Sequence, residues 1–157
     1  MTGVRIEGVG LEMSAHLAVL HKVCFDPLPE MPWWETALRT ILRMPGTRGI
    51  AAIPDNGEPA GFLIGRETAD EAEILTICVA LEYRRAGLAQ KLLTHYLGQE
   101  TTARRVVLEV ATDNTAAIAL YTGLQFQQVG RRPNYYGHGA ARTDALIMAR
   151  ESTDILP

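Results

Sequence analysis

The chain has 157 residues, of which 47% are hydrophobic and 21% charged, and its formal net charge at pH 7 is -3. This size and composition predict one globular domain, which we place at residues 1–150, followed by a flexible tail at 151–157. The negative charge argues against general nucleic-acid binding. No apolar run approaches the roughly 18 residues of a membrane span, and no apolar leader is present, so we expect a cytoplasmic protein.

Hydrophobic periodicity and boundary signals predict the elements of this domain. Ser14 is the expected N-cap of the first helix, because its hydroxyl can accept a hydrogen bond from a first-turn amide. In chain order we expect strand Val4–Val9, helices Ser14–Phe25 and Trp34–Met44, strands Gly49–Ile53, Ala60–Gly65 and Glu73–Val79, helix Leu88 to about Glu100, strand Val106–Ala111, helix Asn114 to about Thr122, and strands Phe126–Arg131 and Ala145–Ala149.

Turn signals define how these elements connect. Pro27, Pro29 and Pro32 make the link between the first two helices a loop. Asp55-Asn56-Gly57 is the strongest hairpin signal in the chain. Hairpins come first and crossover units follow, which predicts a mixed α/β fold: a mostly antiparallel sheet of about six to seven strands with helices on both faces.

The two cysteines and four histidines show no metal-binding or disulfide pattern. Cys24 and Cys78 lie far apart in the sequence, and we expect both to be reduced thiols in apolar surroundings. The histidines at 16, 21, 95 and 138 are expected to be surface or capping residues. The sequence therefore predicts no metal centre.

The segment Arg84-Arg85-Ala86-Gly87-Leu88-Ala89 lies between a strand and an amphipathic helix. A glycine and a small residue at this position let backbone amides at the helix start converge on an anion, and arginines suit phosphate oxygens. The pattern lacks the lysine and hydroxyl residue of a nucleotide P-loop and the three glycines of a dinucleotide site. It predicts a pyrophosphate cradle, with a strand-to-helix turn carrying two solvated arginines as the alternative.

Four polar residues follow on the next strand and helix. Glu109 is the charged residue within the apolar run Val106–Ala111, where a carboxylate is costly unless it is paired or used, and a head group that reaches water is the alternative. Asp113 or Asn114 could cap the next helix. Tyr121 belongs to the apolar stripe of that helix, either as a core tyrosine or as a functional phenol.

Taken together, four blocks resemble the GNAT N-acetyltransferases and, within them, the bacterial RimI family of ribosomal-protein alanine acetyltransferases. The similarity runs from about Ile74 to Met148, and a Pro-Trp element at Trp33 is also similar. The blocks are Arg84 to Ala89, Leu108-Glu109-Val110, Asn114-x-x-Ala117-Ile118-x-Leu120-Tyr121 and Arg131-Arg132-Pro133-Asn134-Tyr135-Tyr136.

This resemblance implies acetyl-CoA as cosubstrate, no metal and no covalent enzyme intermediate. It implies that Glu109 is the general base and Tyr121 the general acid, and that Trp33, Tyr135 and Tyr136 border the acceptor. The implied coenzyme-binding residues are Ile77, Cys78, Val79, Arg84, Arg85, Ala86, Gly87, Leu88, Ala89, Gln90 and Asn114.

The implied acceptor is the N-terminal α-amine of a protein, with a ribosomal protein as the partner and a monomer or weak dimer as the enzyme. An α-amine with a pKa near 7.7 to 8.0 loses its proton more easily than lysine near 10.4, by about 3.5 kcal/mol, which suits a single glutamate base. A small-molecule amine or a lysine side chain is the alternative acceptor. A non-catalytic acyl-CoA sensor and an arginine-rich nucleic-acid module are the other classes considered.

Two departures from the family pattern affect loops. The family usually has Leu-Gly-Phe after the tyrosine helix, whereas this chain has Leu124-Gln125-Phe126, so we expect that turn to be made differently. Ala86 and Ala89 stand where arginine and glycine are commoner, which we expect to lower coenzyme affinity.

Overall fold

The computed structural model describes residues 3–25, 33–55, 57–99, 103–136 and 142–151. The predicted loop with Pro27, Pro29 and Pro32 lies outside these ranges, as do Asn56 and most of the predicted tail, residues 152–157. Within the described ranges, no helix is long and apolar enough to cross a membrane.

The described elements follow the predicted order closely. The first long helix has the predicted bounds, and the other elements shift by a few residues at their ends. They are β1 (Val4–Gly8), α1 (Ser14–Phe25), α2 (Glu35–Arg43), β2 (Thr47–Pro54), β3 (Gly61–Thr68), β4 (Glu71–Val79), α3 (Leu88–Leu97), β5 (Arg105–Ala111), α4 (Thr115–Gly123), β6 (Gln127–Tyr136) and β7 (Thr143–Glu151).

The strands form one sheet in the order β1-β2-β3-β4-β5-β7-β6. Every neighbouring pair is antiparallel except β4 and β5, which are parallel. The predicted hairpin is confirmed, since β2 pairs with β3 and the Gly57 amide donates to the Pro54 carbonyl at 2.9 Å. This sheet is the predicted mixed and mostly antiparallel one.

Helices pack on both faces of the sheet, as predicted. One face carries α3 and α4, whose buried side chains include Leu92, Leu93 and Tyr121. The other face carries α1 and α2, with Leu17 and Leu38 at the centre of a second core. We call these the α3/α4 face and the α1/α2 face.

A bulge in β4 and a gap beside it shape the centre of the sheet. Leu75 is an extra residue, because Ile64 of β3 pairs with Thr76 whereas Gly65 pairs with Ile74. Pairing of β4 with β5 ends at Ile74, although both strands continue beyond that point. In the described structure one edge of β4 therefore has no strand partner, and its backbone groups are available to a ligand.

Three local predictions were wrong. The Ser14 hydroxyl donates to the Leu11 carbonyl at 2.7 Å instead of capping α1, because a short 3₁₀ turn precedes the helix. His21 is buried, not a surface or capping residue. The turn after α4 is not made differently, since Gln125 itself adopts a left-handed φ of 73°, the conformation that glycine takes most easily.

Candidate active site

The gap between β4 and β5 opens into a cavity of about 760 Å³. Its walls come from both faces of the sheet: Asn114 and Tyr121 approach from the α3/α4 face, and His21 and Trp33 approach from the α1/α2 face. Glu109 alternates with Leu108 and Val110, which pack on the α3/α4 face, so its side chain lies on the opposite side. The cavity thus joins two chemically different halves through the split in the sheet.

The loop before α3 has the backbone geometry of an anion cradle. Arg85 and Gly87 both have left-handed backbones, with φ of 67° and 77°. No side chain of the described residues caps α3. Since the first amides of a helix have no acceptor within the helix, those of Leu88, Ala89 and Gln90 can bind an anion. Open space surrounds the position where a Cβ of Gly87 would stand, so a ligand can approach the loop closely.

The predicted coenzyme residues divide into two groups around this cavity. Arg84 is exposed and anchored, since its Nε donates to the Val79 carbonyl at 3.3 Å. Leu88 is buried, so only its backbone can contribute. The predicted coenzyme residues that line the cavity are Ile77, Cys78, Val79, Arg84, Ala89 and Asn114. The others are not part of its lining: Arg85, Ala86, Gly87, Leu88 and Gln90.

Asn114 and Tyr121 belong to the start and the middle of α4. The side-chain oxygen of Asn114 accepts from the Ala117 amide at 3.2 Å, so the predicted capping role is confirmed for this residue. Asn114 also lines the cavity, and its side-chain NH2 group can donate to a ligand. Tyr121 is buried, lines the cavity and packs edge-on against Phe126 at 5.9 Å between ring centroids.

Glu109 is held at the other wall by an arginine that the sequence analysis did not single out. Arg132 Nε lies 2.9 Å from Glu109 Oε1. Oε2 is buried and has no hydrogen-bond partner within the described part of the chain. One carboxylate oxygen is thus fixed, whereas the other remains able to accept a proton or a hydrogen bond.

Tyr135 of β6 stands next to this carboxylate, and Tyr136 follows it in the strand. Tyr135 lies in an irregular stretch of β6 where the register with β7 shifts. Burial and the negative charge of Glu109 raise the pKa of Tyr135. Asp144 holds the stretch in place by accepting from Arg131 Nε at 2.7 Å and from the Asn134 amide at 2.8 Å. Tyr135 and Tyr136 both line the cavity.

His21 supports the remaining predicted acceptor residue, Trp33. The Trp33 amide donates to His21 Nδ1 at 3.0 Å, and the two rings stack at 5.0 Å. Since Nδ1 is an acceptor, the neutral ring carries its proton on Nε2, which lies 3.0 Å from the Thr76 hydroxyl. Burial lowers the pKa of His21 to about 4, which keeps the ring neutral. His21 lies four residues after Leu17 on α1, and this helical spacing was the sequence signal for the burial of His21.

Glu73 is a second carboxylate at this end of the cavity that the sequence analysis did not single out. It pairs across to Val107 in β5, two residues before Glu109. Burial raises the pKa of Glu73, and the charge of Glu109 adds to the effect. Glu73 on β4 and Glu109 on β5 make this end of the cavity acidic, with Arg132 as a nearby cation. We call it the acceptor end, because the predicted acceptor residues also line it.

Comparison with known proteins decides the family. Residues 16–126 match the model of the acetyltransferase (GNAT) family. The chain belongs to the GNAT acetyltransferase family. It groups with RimI enzymes: the [ribosomal protein bS18]-alanine N-acetyltransferase of Escherichia coli K12 is 39% identical over 122 residues, covering 75% of this chain and 80% of the relative. The N-alpha-acetyltransferase RimI of Mycobacterium tuberculosis is 36% identical over 127 residues, covering 78% of each.

Solved structures agree with this GNAT assignment. The crystal structure of the ribosomal-protein-S18-alanine N-acetyltransferase from E. coli superposes with a TM-score of 0.86 at 27% identity, covering 98% of this chain and 96% of that one. Arabidopsis thaliana NAA60, solved in complex with acetyl-CoA, gives 0.79 at 19% identity, covering 95% and 98%. The second likeness concerns the fold alone.

Proposed function

We propose that this GNAT enzyme transfers the acetyl group of acetyl-CoA to the N-terminal α-amine of a protein. The observation that carries the proposal is the Glu109 carboxylate: Arg132 holds Oε1, while Oε2 is buried without a partner among the described residues at the split in the sheet. A positioned carboxylate oxygen of this kind can take a proton from an ammonium group.

The chain's own groups fit acetyl-CoA. The unpaired edge of β4 at Ile77–Val79 can hydrogen bond an extended amide-containing arm as a strand partner would. The amides from Gly87 to Gln90, which no described side chain caps, suit a diphosphate together with Arg84 and Arg85. The Asn114 amide group can bind the coenzyme further along. No group of three or more candidate metal ligands occurs in the described residues, and the proposal uses no metal.

Glu109 and Tyr121 carry out the two proton transfers, one on each face of the sheet. Bound acetyl-CoA supplies an activated thioester carbonyl that an uncharged amine attacks. Glu109 takes the proton of the incoming amine, directly or through a water molecule, from the α1/α2 face. Tyr121 donates a proton to the departing thiolate from the α3/α4 face. Backbone amides of β4 stabilise the negative charge that develops on the carbonyl oxygen.

An α-amine suits this acceptor end better than lysine. Glu73 and Glu109 make it acidic, which attracts an ammonium group. An α-amine then needs about 3.5 kcal/mol less than lysine to lose its proton. Trp33, Tyr135 and Tyr136 form walls for the first residues of the acceptor peptide. The names of the E. coli and M. tuberculosis relatives support this choice, and we propose a ribosomal protein in the cytoplasm as the physiological acceptor.

A matched set of acceptors tests the proposal. The peptides share one sequence that begins with alanine and contains one lysine: the first has a free α-amine, and the second has the α-amine blocked and the lysine free. A free polyamine is the third acceptor. Release of CoA with the first peptide alone is the expected result. Transfer confined to lysine or to the polyamine would overturn it, and acetyl-CoA binding without any turnover would indicate a sensor.

A further inference from the structure

The two cysteines, distant in the sequence, meet at the wall of the cavity. Cys24 lies at the end of α1 and Cys78 in the part of β4 that follows the bulge, and both are buried free thiols. Both residues line the cavity, and Cys24 Sγ donates to the carbonyl of Val79, the residue after Cys78, at 3.3 Å, which places the two thiols beside each other. The sequence contains only these two cysteines, so no other thiol of the chain competes for either.

The surroundings make the two thiols chemically unequal. The hydrogen bond from Cys78 and the nearby Arg84 guanidinium lower the pKa of the Cys24 thiol to about 7. Burial and the neighbouring Cys24 raise the pKa of Cys78 well above its usual range. Cys24 is thus the nucleophilic member and Cys78 the protonated neighbour, an arrangement in which one thiolate reacts first and a second thiol resolves the product.

We propose that Cys24 and Cys78 form a modification site, at which a hydroperoxide such as hydrogen peroxide closes a reversible disulfide beside the coenzyme arm. A disulfide holds its sulfurs at about 2.05 Å, so these two free thiols must move closer together, which draws α1 and β4 toward each other at this point. Neither residue takes part in the proton transfers proposed above.

The chemistry balances with one peroxide. The Cys24 thiolate attacks a peroxide oxygen, the O–O bond breaks, and the released hydroxide takes up a proton to become water. The Cys78 thiol then attacks the sulfur of the Cys24 sulfenic acid, and the S–O bond breaks as a second water leaves. Two thiols and one hydrogen peroxide thus give one disulfide and two waters, with two electrons passing from sulfur to oxygen.

Disulfide formation would disturb the edge of β4 that the coenzyme is proposed to use. The Val79 carbonyl accepts from Cys24 Sγ at 3.3 Å and from Arg84 Nε at 3.3 Å. Oxidation removes the first donor and draws β4 toward α1, which alters the contact that anchors Arg84. We expect this change to lower coenzyme affinity. That expectation rests on the proposed function, whereas formation of the disulfide does not.

Peroxide titration of the whole chain tests the site. After treatment and removal of excess peroxide, we expect the denatured protein to lose both free thiols, its mass to fall by two hydrogens, and its acetyl-CoA affinity to fall about tenfold or more. Dithiothreitol should restore all three, and prior saturation with acetyl-CoA should slow the loss. Cys24→Ser keeps a donor for the Val79 carbonyl but cannot form the disulfide, so its acetyl-CoA affinity should resist peroxide.

Three results would overturn the proposal: both thiols remaining titratable after treatment, a disulfide joining two chains on a non-reducing gel, or Cys24→Ser losing acetyl-CoA affinity to peroxide as fast as the parent protein. Thiol count, mass and acetyl-CoA binding do not depend on the acceptor. If the protein fails to acetylate a peptide terminus, the peroxide result can therefore still be interpreted. A negative peroxide result likewise leaves the acetylation test unaffected.

Discussion

The two halves of the cavity are built in different ways. The half on the α3/α4 face comes from the edge of β4, the loop before α3 and the start of α4, and backbone amides supply most of its polar groups. The half on the α1/α2 face consists of side chains from separate parts of the chain, among them Trp33, Glu109 and Tyr135. A backbone-built half depends less on side-chain identity, whereas a side-chain-built half can change its ligand through single substitutions.

The sharpest test of this division is Glu109→Gln. The variant removes the proposed base but keeps the size of the side chain, so we expect turnover with the α-amine peptide to fall by about 10²–10⁴-fold. Affinity for acetyl-CoA, measured by calorimetry, should change little because the backbone-built half is intact.

Glu73→Gln is the matched control for Glu109→Gln, since it removes the other carboxylate at the acceptor end. We expect it to raise KM for the peptide more than it lowers kcat, because it weakens attraction of the ammonium group. A large loss of kcat in Glu73→Gln together with normal turnover in Glu109→Gln would mean that the base had been assigned to the wrong strand.

Tyr121→Phe tests the opposite face and should have a smaller effect. The proposed acid serves a thiolate that water can also protonate, so we expect kcat to fall by about 10–10²-fold with KM for the peptide nearly unchanged. The ratio of kcat for the two single variants is the decisive measurement. A loss in Tyr121→Phe that exceeds the loss in Glu109→Gln would contradict the assigned order of importance.

The same division explains what the sequence could predict. Within the α3/α4 half, the loop before α3 could be predicted from one continuous stretch, because a glycine, two arginines and a helix start form a local pattern. The partners of the other half, Arg132 for Glu109 and His21 for Trp33, are brought together by strand register and helix packing. Such contacts join distant parts of the chain, and no local pattern encodes them.

Gln125 shows a different limit of prediction. The absence of the family's glycine at this position predicted a different turn, yet Gln125 itself adopts the left-handed conformation. Hydrogen bonds at the helix end, where the Leu124 and Phe126 amides both donate to the Tyr121 carbonyl at 3.0 Å, hold this turn, and Arg150 Nε donates to the Leu124 carbonyl at 3.0 Å from β7. Together they outweigh the residue's own preference.

The pH dependence of stability tests the packing of the side-chain-built half. The pKa of His21 is about 4 in the folded protein and near 6.5 when the chain is unfolded, so the unfolded state binds the proton first. The stability that the neutral ring provides is present above pH 6.5 and is lost as pH falls toward 4. Between pH 7 and pH 5 the loss should be about 2 kcal/mol.

Urea unfolding of the parent chain and of His21→Asn at both pH values measures this contribution, because other titrating groups affect both proteins alike. The difference in free energy of unfolding between pH 7 and pH 5 should be smaller in the variant by about 2 kcal/mol. NMR titration of the His21 ring provides a direct check. An ordinary midpoint near 6.5 would contradict the buried hydrogen-bonded network.

The smallest effect is expected at Gln125, which lies outside both halves of the cavity. Gln125→Gly relieves a left-handed backbone at φ 73° but adds conformational freedom to the unfolded chain, so the net gain in stability should be about 0.5–1 kcal/mol. Thermal unfolding measures the gain, with Gln127→Gly in the extended β6 as the control that should destabilise. Since Gln125 contributes no wall of the cavity, kcat and KM should stay at parent values. A changed KM for acetyl-CoA would mean that this turn positions α4, and with it Asn114 and Tyr121. The left-handed backbone of Gln125 would then contribute to the geometry of the site.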